Sequence, residues 1–180
     1  MNKLLLTCSG IEGNEISKRF IEMIGASLDK AKILWIPTAA IDKESVVYTE
    51  KCKADLFRLS IDNQNITVYN LDKTLNLDEL NTFEVVFVCG GDCHFLLDKM
   101  ISSKFYQVLE NYNGLYVGVS AGSCVVSYDF PECMNYLKCR LDVHCQTGSN
   151  RGIIDIDNTD LISLTNSQAV VIDGENIEVI

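Results

Sequence analysis

The chain has 180 residues, 47% hydrophobic and 22% charged, which is enough to bury a sizeable core and too apolar for a disordered polymer. Lys and Arg number 15 against 25 Asp and Glu, leaving a net charge of −10. Such a surface repels phosphate backbones and anionic lipid, so neither nucleic acid nor a membrane is an expected partner.

At the N-terminus one Lys precedes three consecutive leucines, Leu4, Leu5 and Leu6. That falls short of the roughly 7–15 apolar residues of a secretion signal, and no run reaches the ~18 of a membrane span. The expectation is a cytoplasmic protein with reduced thiols. The cysteine spacing agrees, since no C-x-x-C occurs. Cys89, Cys93 and His94 are close in sequence, but Cys89 ends a buried strand, so no metal site is expected.

Short apolar runs alternate with helical patterns along the chain. Residues 3–7, 32–37, 66–71, 85–89 and 115–119 are apolar at nearly every position, as strands of a parallel sheet covered on both faces must be. Ile16, Phe20, Ile24 and Leu28 recur at helical spacing after Asn14, a residue suited to an N-cap. Val47, Ala54, Leu56 and Leu59 mark a second helix. Phe95, Leu96, Met100 and Ile101, then Phe105, Val108 and Leu109, mark two shorter ones. This alternation predicts an α/β fold with a doubly wound, mostly parallel sheet, in one domain over residues 1–180. Residues 161–165, 169–173 and 177–180 read as short strands, the last two joined by the turn Asp173-Gly174-Glu175-Asn176. They either extend the sheet or cover one edge as a small antiparallel unit.

Ligands of open α/β sheets bind beyond the carboxyl ends of the strands. There the sequence places Cys8-Ser9-Gly10, Thr38-Ala39-Ala40, Gly90-Gly91-Asp92 and Ser120-Ala121-Gly122, all small or polar. Gly118-Val119-Ser120-Ala121-Gly122 follows an apolar strand and opens a helical run, the setting of a G-x-S-x-G nucleophile elbow. A serine nucleophile needs a base. Of the two histidines, His144 is the first choice and His94 the second. In the alternating segment Leu141 to Cys145, Asp142 and His144 would face the same way. Gly90-Gly91 and the Ala121 N–H offer backbone donors for an oxyanion hole.

These segments, with Ile36-Pro37-Thr38-Ala39 upstream, resemble the peptidase E / cyanophycinase family of serine peptidases, which share the class I glutamine-amidotransferase-like, flavodoxin-like architecture. The resemblance continues in Val143-His144 and in residues 164–171. Amidotransferases proper carry Cys at the elbow, where this chain has Ser120. The resemblance implies a Ser-His-acid triad that cleaves amide bonds next to aspartyl residues, without cofactor. Ser120 and His144 carry over directly; Asp157 stands where the family has a Glu, and Asp129 and Asp142 are alternatives. Substrate contacts fall to Gly90, Gly91, Asp92, Ala121 and Arg151. Asp92, as in cyanophycinases, disfavours an acidic group and favours a cationic one. Arg151 is the sole cation left in the short stretch after His144.

The reading is therefore a serine peptidase acting on a small peptide or amide through an acyl-enzyme. Three others stay open: an esterase or acyltransferase on the same elbow, a binding module that lost competence, and a thiol sensor using Cys89 or Cys93. A homodimer through the C-terminal hairpin is also left open.

Overall fold

The computed structural model describes residues 2–128, 136–157 and 160–180. In chain order its elements are β1 (Lys3–Thr7), α1 (Asn14–Ile24), β2 (Ile33–Ile36), α2 (Lys43–Arg58), β3 (Ile66–Val68), α3 (Leu77–Leu80), β4 (Val85–Val88), α4 (Cys93–Ser102), α5 (Phe105–Leu109), β5 (Leu115–Val119) and α6 (Ala121–Cys124). Then follow β6 (Arg140–Asp142), β7 (Gly152–Ile153), β8 (Leu161–Ser163), β9 (Ala169–Asp173) and β10 (Asn176–Val179).

Eight strands form one sheet in the order β3-β2-β4-β5-β1-β9-β10-β7. The first five run parallel, and β9, β10 and β7 extend the sheet antiparallel beyond β1. The central strands are buried throughout because helices cover both faces. Val85 and Phe87 of β4 pack with Phe20 of α1 and Leu56 of α2. Val86 and Val88, pointing the other way, pack with Leu96 of α4, Phe105 of α5 and Ala121 of α6. This is the doubly wound α/β arrangement that the alternating pattern predicts.

Three local expectations change. Asn14 is the first residue of α1 rather than its cap; Gly13, at φ 107°, precedes it and supplies no side chain. That helix stops at Ile24, short of Leu28, because Gly25 turns left-handed at φ 67° and closes the C-terminus. Residues 161–163 do not join an antiparallel unit. As β8 they pair in parallel with β6, making a separate two-stranded sheet in which Arg140 faces Leu161 and Asp142 faces Ser163.

Candidate active site

The carboxyl ends of β1, β4 and β5 converge on Ser120. β5 enters a turn too tight for side chains at its two glycines. A Cβ on Gly118 would lie 2.5 Å from the Gly122 carbonyl oxygen, and one on Gly122 would lie 2.3 Å from that of Val88 in β4. Between them Ser120 is held at φ 49° and ψ −108°, a sparsely populated conformation for a residue with a side chain. The strain is over-determined from below. Ser120 N–H donates to the Thr7 carbonyl at 2.8 Å, and the buried Ser123 hydroxyl lies 2.8 Å from both the Thr7 and the Gly118 carbonyl oxygens. Tyr116 Oη donates to the Gly122 carbonyl at 2.7 Å.

His144 meets this serine directly: its Nε2 is 3.0 Å from Ser120 Oγ. β6 ends at Asp142, and His144 takes φ 59°, so the alternation expected to align Asp142 with His144 does not reach the histidine. Its backbone is tethered to the end of β1, where the N–H donates to Cys8 Sγ at 3.3 Å. Burial pushes the Cys8 thiol above its ordinary value, against the lowering effect of that hydrogen bond.

The other ring nitrogen, Nδ1, is 2.8 Å from Oδ1 of Asn166, where the sequence reading expects an acid. Asp157 follows β7, and its N–H donates to Asp160 Oδ2 at 2.7 Å. Asp160 in turn bonds Arg140 through its carbonyl, at the entry end of β6 and β8. His144 and Asn166 leave those strands at the opposite end, roughly 10 Å of chain away for three-residue strands. Asp142 ends β6 with its side chain exposed. Asp129 lies outside the described residues. Asn166 lies within the stretch 164–171, but its place beside His144 depends on β8 pairing with β6, which no local pattern reveals.

Opposite the dyad runs the glycine turn. Gly91 sits at φ 138°, and a Cβ there would come 2.0 Å from the Ala39 carbonyl oxygen, so the position accepts only glycine. Asp92 N–H fixes the turn by donating to Ala39 at 2.8 Å. The N–H groups of Gly91 and Ala121 have no acceptor in the chain among the described residues. The Asp92 carboxylate is engaged as the N-cap of α4, accepting from Phe95 N–H at 2.8 Å.

A cleft of about 340 Å³ opens over Ser120 and His144 between Gly90-Gly91 and the first turns of α2. α2 contributes Asp42, Glu44, Ser45 and Tyr48. Asp42 caps the helix, accepting from Ser45 and Glu44 N–H at 2.9 Å each, and these bonds hold its carboxyl below the usual range. Tyr48 separates this cleft from a second one lined by Asn166, Ser167, Glu12 and Lys51, with Lys51 Nζ 2.9 Å from Glu12 Oε2. Arg151 lines neither cleft. It pairs with Glu15 of α1 and donates from Nη2 to the Ser167 carbonyl at 3.3 Å.

His94 sits exposed on the first turn of α4, away from the cleft lining. Cys89 is wholly buried and its thiol is pushed well up by burial. Cys93 Sγ donates to the Ala121 carbonyl at 3.8 Å and Cys124 Sγ to that of Leu141 at 4.0 Å, and the influence of each thiol on the other lowers Cys93 and raises Cys124. Among the described residues no group of three or more His, Cys, Asp or Glu side chains gathers as a metal site would need.

No curated protein matches the chain. Among solved structures, a peptidase E candidate from Listeria monocytogenes EGD-e superposes with a TM-score of 0.74 at 20% identity, over 100% of this chain and 98% of that one. A peptidase from an acI-B1 actinobacterium does so with 0.67 at 17% identity, over 100% and 87%. These likenesses show a shared fold. Residues 4–135 match the model of peptidase family S51, a stretch that includes the glycine turn and the Ser120 elbow and ends before His144. The chain belongs to peptidase family S51, the serine peptidases to which its elbow and glycine turn correspond.

Proposed function

We propose that the protein hydrolyses an amide bond in short peptides, with Ser120 as nucleophile and His144 as general base. The observation that carries this reading is the 3.0 Å approach of His144 Nε2 to a serine held on a strained elbow. His144 takes the hydroxyl proton as Ser120 Oγ bonds the carbonyl carbon. The carbonyl π electrons move onto oxygen, where the N–H groups of Gly91 and Ala121 are the donors that would meet them. Collapse of this intermediate breaks the C–N bond, and the leaving amine takes the proton from His144. Water, activated by the same imidazole, then cleaves the acyl ester and restores Ser120.

For the substrate, the charge of the cleft favours a cationic group over the aspartyl side chain that the family resemblance raises. The cleft over Ser120 carries Asp42 and Glu44 and no Lys or Arg. In the adjoining cleft the cation, Lys51, is already paired with Glu12. Arg151, the sole cation in the short stretch after His144, is engaged by Glu15 and the Ser167 carbonyl. A free α-amine or a basic side chain near the scissile bond answers that potential best.

The test is a dipeptide panel with Lys, Ala or Asp first, each with a free and an acetylated N-terminus. Cleavage strongest for free-amine and Lys-first peptides, absent in Ser120→Ala, is the expected result. Preference for Asp-first peptides would overturn the charge argument. Turnover of p-nitrophenyl esters with no peptide cleaved would favour the esterase.

A further inference from the structure

β6 and β8 pair in parallel, so the chain leaves both in the same direction. His144 comes two residues after Asp142, and Asn166 three residues after Ser163. The parallel register carries both to one place, above the end of β1. This topology, rather than proximity in sequence, delivers a side chain to His144 Nδ1.

The turn that carries Asn166 is built to hold it. Gln168, buried beneath the turn, accepts from Thr165 N–H at 3.2 Å through Oε1 and donates from Nε2 to the Ser149 carbonyl at 2.8 Å. Gly148 is packed so closely against that amide that a Cβ there would lie 1.6 Å from Gln168 Oε1. On the other side, Arg151 bonds the Ser167 carbonyl. Asn166 is exposed, yet the residues on both sides of it are pinned.

The amide oxygen of Asn166 accepts a hydrogen bond and carries no charge. With Oδ1 at 2.8 Å, the ring proton belongs on Nδ1, and the bare Nε2 lone pair faces the Ser120 hydroxyl. That is the tautomer a general base needs. The carboxylate of a Ser-His-acid triad both fixes this tautomer and offsets the charge of the imidazolium; an amide supplies the first and only a dipole toward the second.

We propose that Asn166 is the positioning residue for His144, holding by a neutral amide the orientation and tautomer that a carboxylate holds in a Ser-His-acid triad. The role in turnover rests on the peptidase reading above; the tautomer does not.

The deciding experiment reads the tautomer without turnover. The whole chain contains two histidines, so ¹⁵N imidazole NMR of the full-length protein gives two ring systems, assigned with His94→Gln. In the wild type His144 is expected to carry its proton on Nδ1. Asn166→Leu moves it to Nε2, and Asn166→Asp, whose carboxylate still accepts from Nδ1, keeps it in place. Turnover follows: Asn166→Leu lowers kcat about a hundred-fold with KM nearly unchanged, and Asn166→Asp restores most of it. Asn166→Ala serves as a second truncation should the Leu variant fold poorly. A wild-type proton on Nε2, or an Nδ1 proton that persists in both truncations, would overturn the proposal. Wild-type kcat in both truncations, with Ser120 still required, would overturn the role of Asn166 in turnover and leave the peptidase reading standing. No turnover in any form, with the tautomer shift observed, would break the peptidase reading alone.

Discussion

The two halves of the dyad are held in place by different means. Ser120 rests on the parallel core: a buried strand, two glycines pressed against the backbone carbonyls of Gly122 and Val88, its own N–H bond to the Thr7 carbonyl, and the Ser123 hydroxyl against the Thr7 and Gly118 carbonyls. His144 and Asn166 rest on loops leaving a two-stranded sheet of three residues per strand, pinned by Cys8, Gln168 and Arg151. Ser120 is fixed by packing and strain, His144 by hydrogen bonds between loops. The first kind of support fails with stability, whereas the second can fail in rate while the fold survives.

Removing the chemistry itself gives the largest effect. Ser120→Ala and His144→Ala should each lower kcat/KM on the order of a thousand-fold or more while leaving the circular dichroism of the fold intact. Retention of more than a tenth of the activity by either would break the dyad.

The packed half should next show itself in stability. Gly122→Ala sets a Cβ against the Val88 carbonyl oxygen and should cost about 2–4 kcal/mol in urea unfolding. Gly174→Ala, at φ 63° in the β9–β10 turn with no atom within 4 Å of the new Cβ, should cost only about 1 kcal/mol. Equal costs would mean that the elbow is not held by close approach. Relief of the strained conformation is visible in the opposite direction: Ser120→Gly should be more stable than Ser120→Ala by about 1 kcal/mol.

On the loop side the pattern inverts. Gln168→Ala removes the brace under Asn166 and should lower kcat roughly ten-fold, with a stability loss of about 1–2 kcal/mol from the unpaired groups it leaves. Arg151→Ala, which breaks an exposed pair with Glu15, should change stability by less than about 1 kcal/mol and kcat by only a few-fold. A loss of stability in Arg151→Ala as large as that in Gly122→Ala would erase the distinction between the halves.

The same division governs what could be read from the sequence. β1 and β5, which are parallel, and β9, which is antiparallel, were legible to the residue because strands buried on both faces are continuously apolar and end at glycine or polar turns. The elbow was legible because its spacing is local. α3 escaped notice although the Asn76–Glu79 capping box announces it, since four residues show no helical period. β6 and β7 are too short to carry a pattern, and the parallel pairing of β6 with β8 spans about twenty residues of unrelated chain. Asn166 was hidden for that reason: an asparagine in a polar turn reads as turn chemistry until the strand before it is known to run beside the one that carries His144. The acid sought after His144 follows from a family pattern, whereas the partner at Nδ1 follows from the topology.

The central claim is that Ser120 is a serine activated by His144. The most direct test is intact-mass measurement after exposure to a fluorophosphonate, with the labelled peptide mapped. A single adduct on Ser120, absent in Ser120→Ala and lost in His144→Ala, is the predicted result. A folded wild-type protein that takes no adduct, or takes it equally without His144, would contradict it.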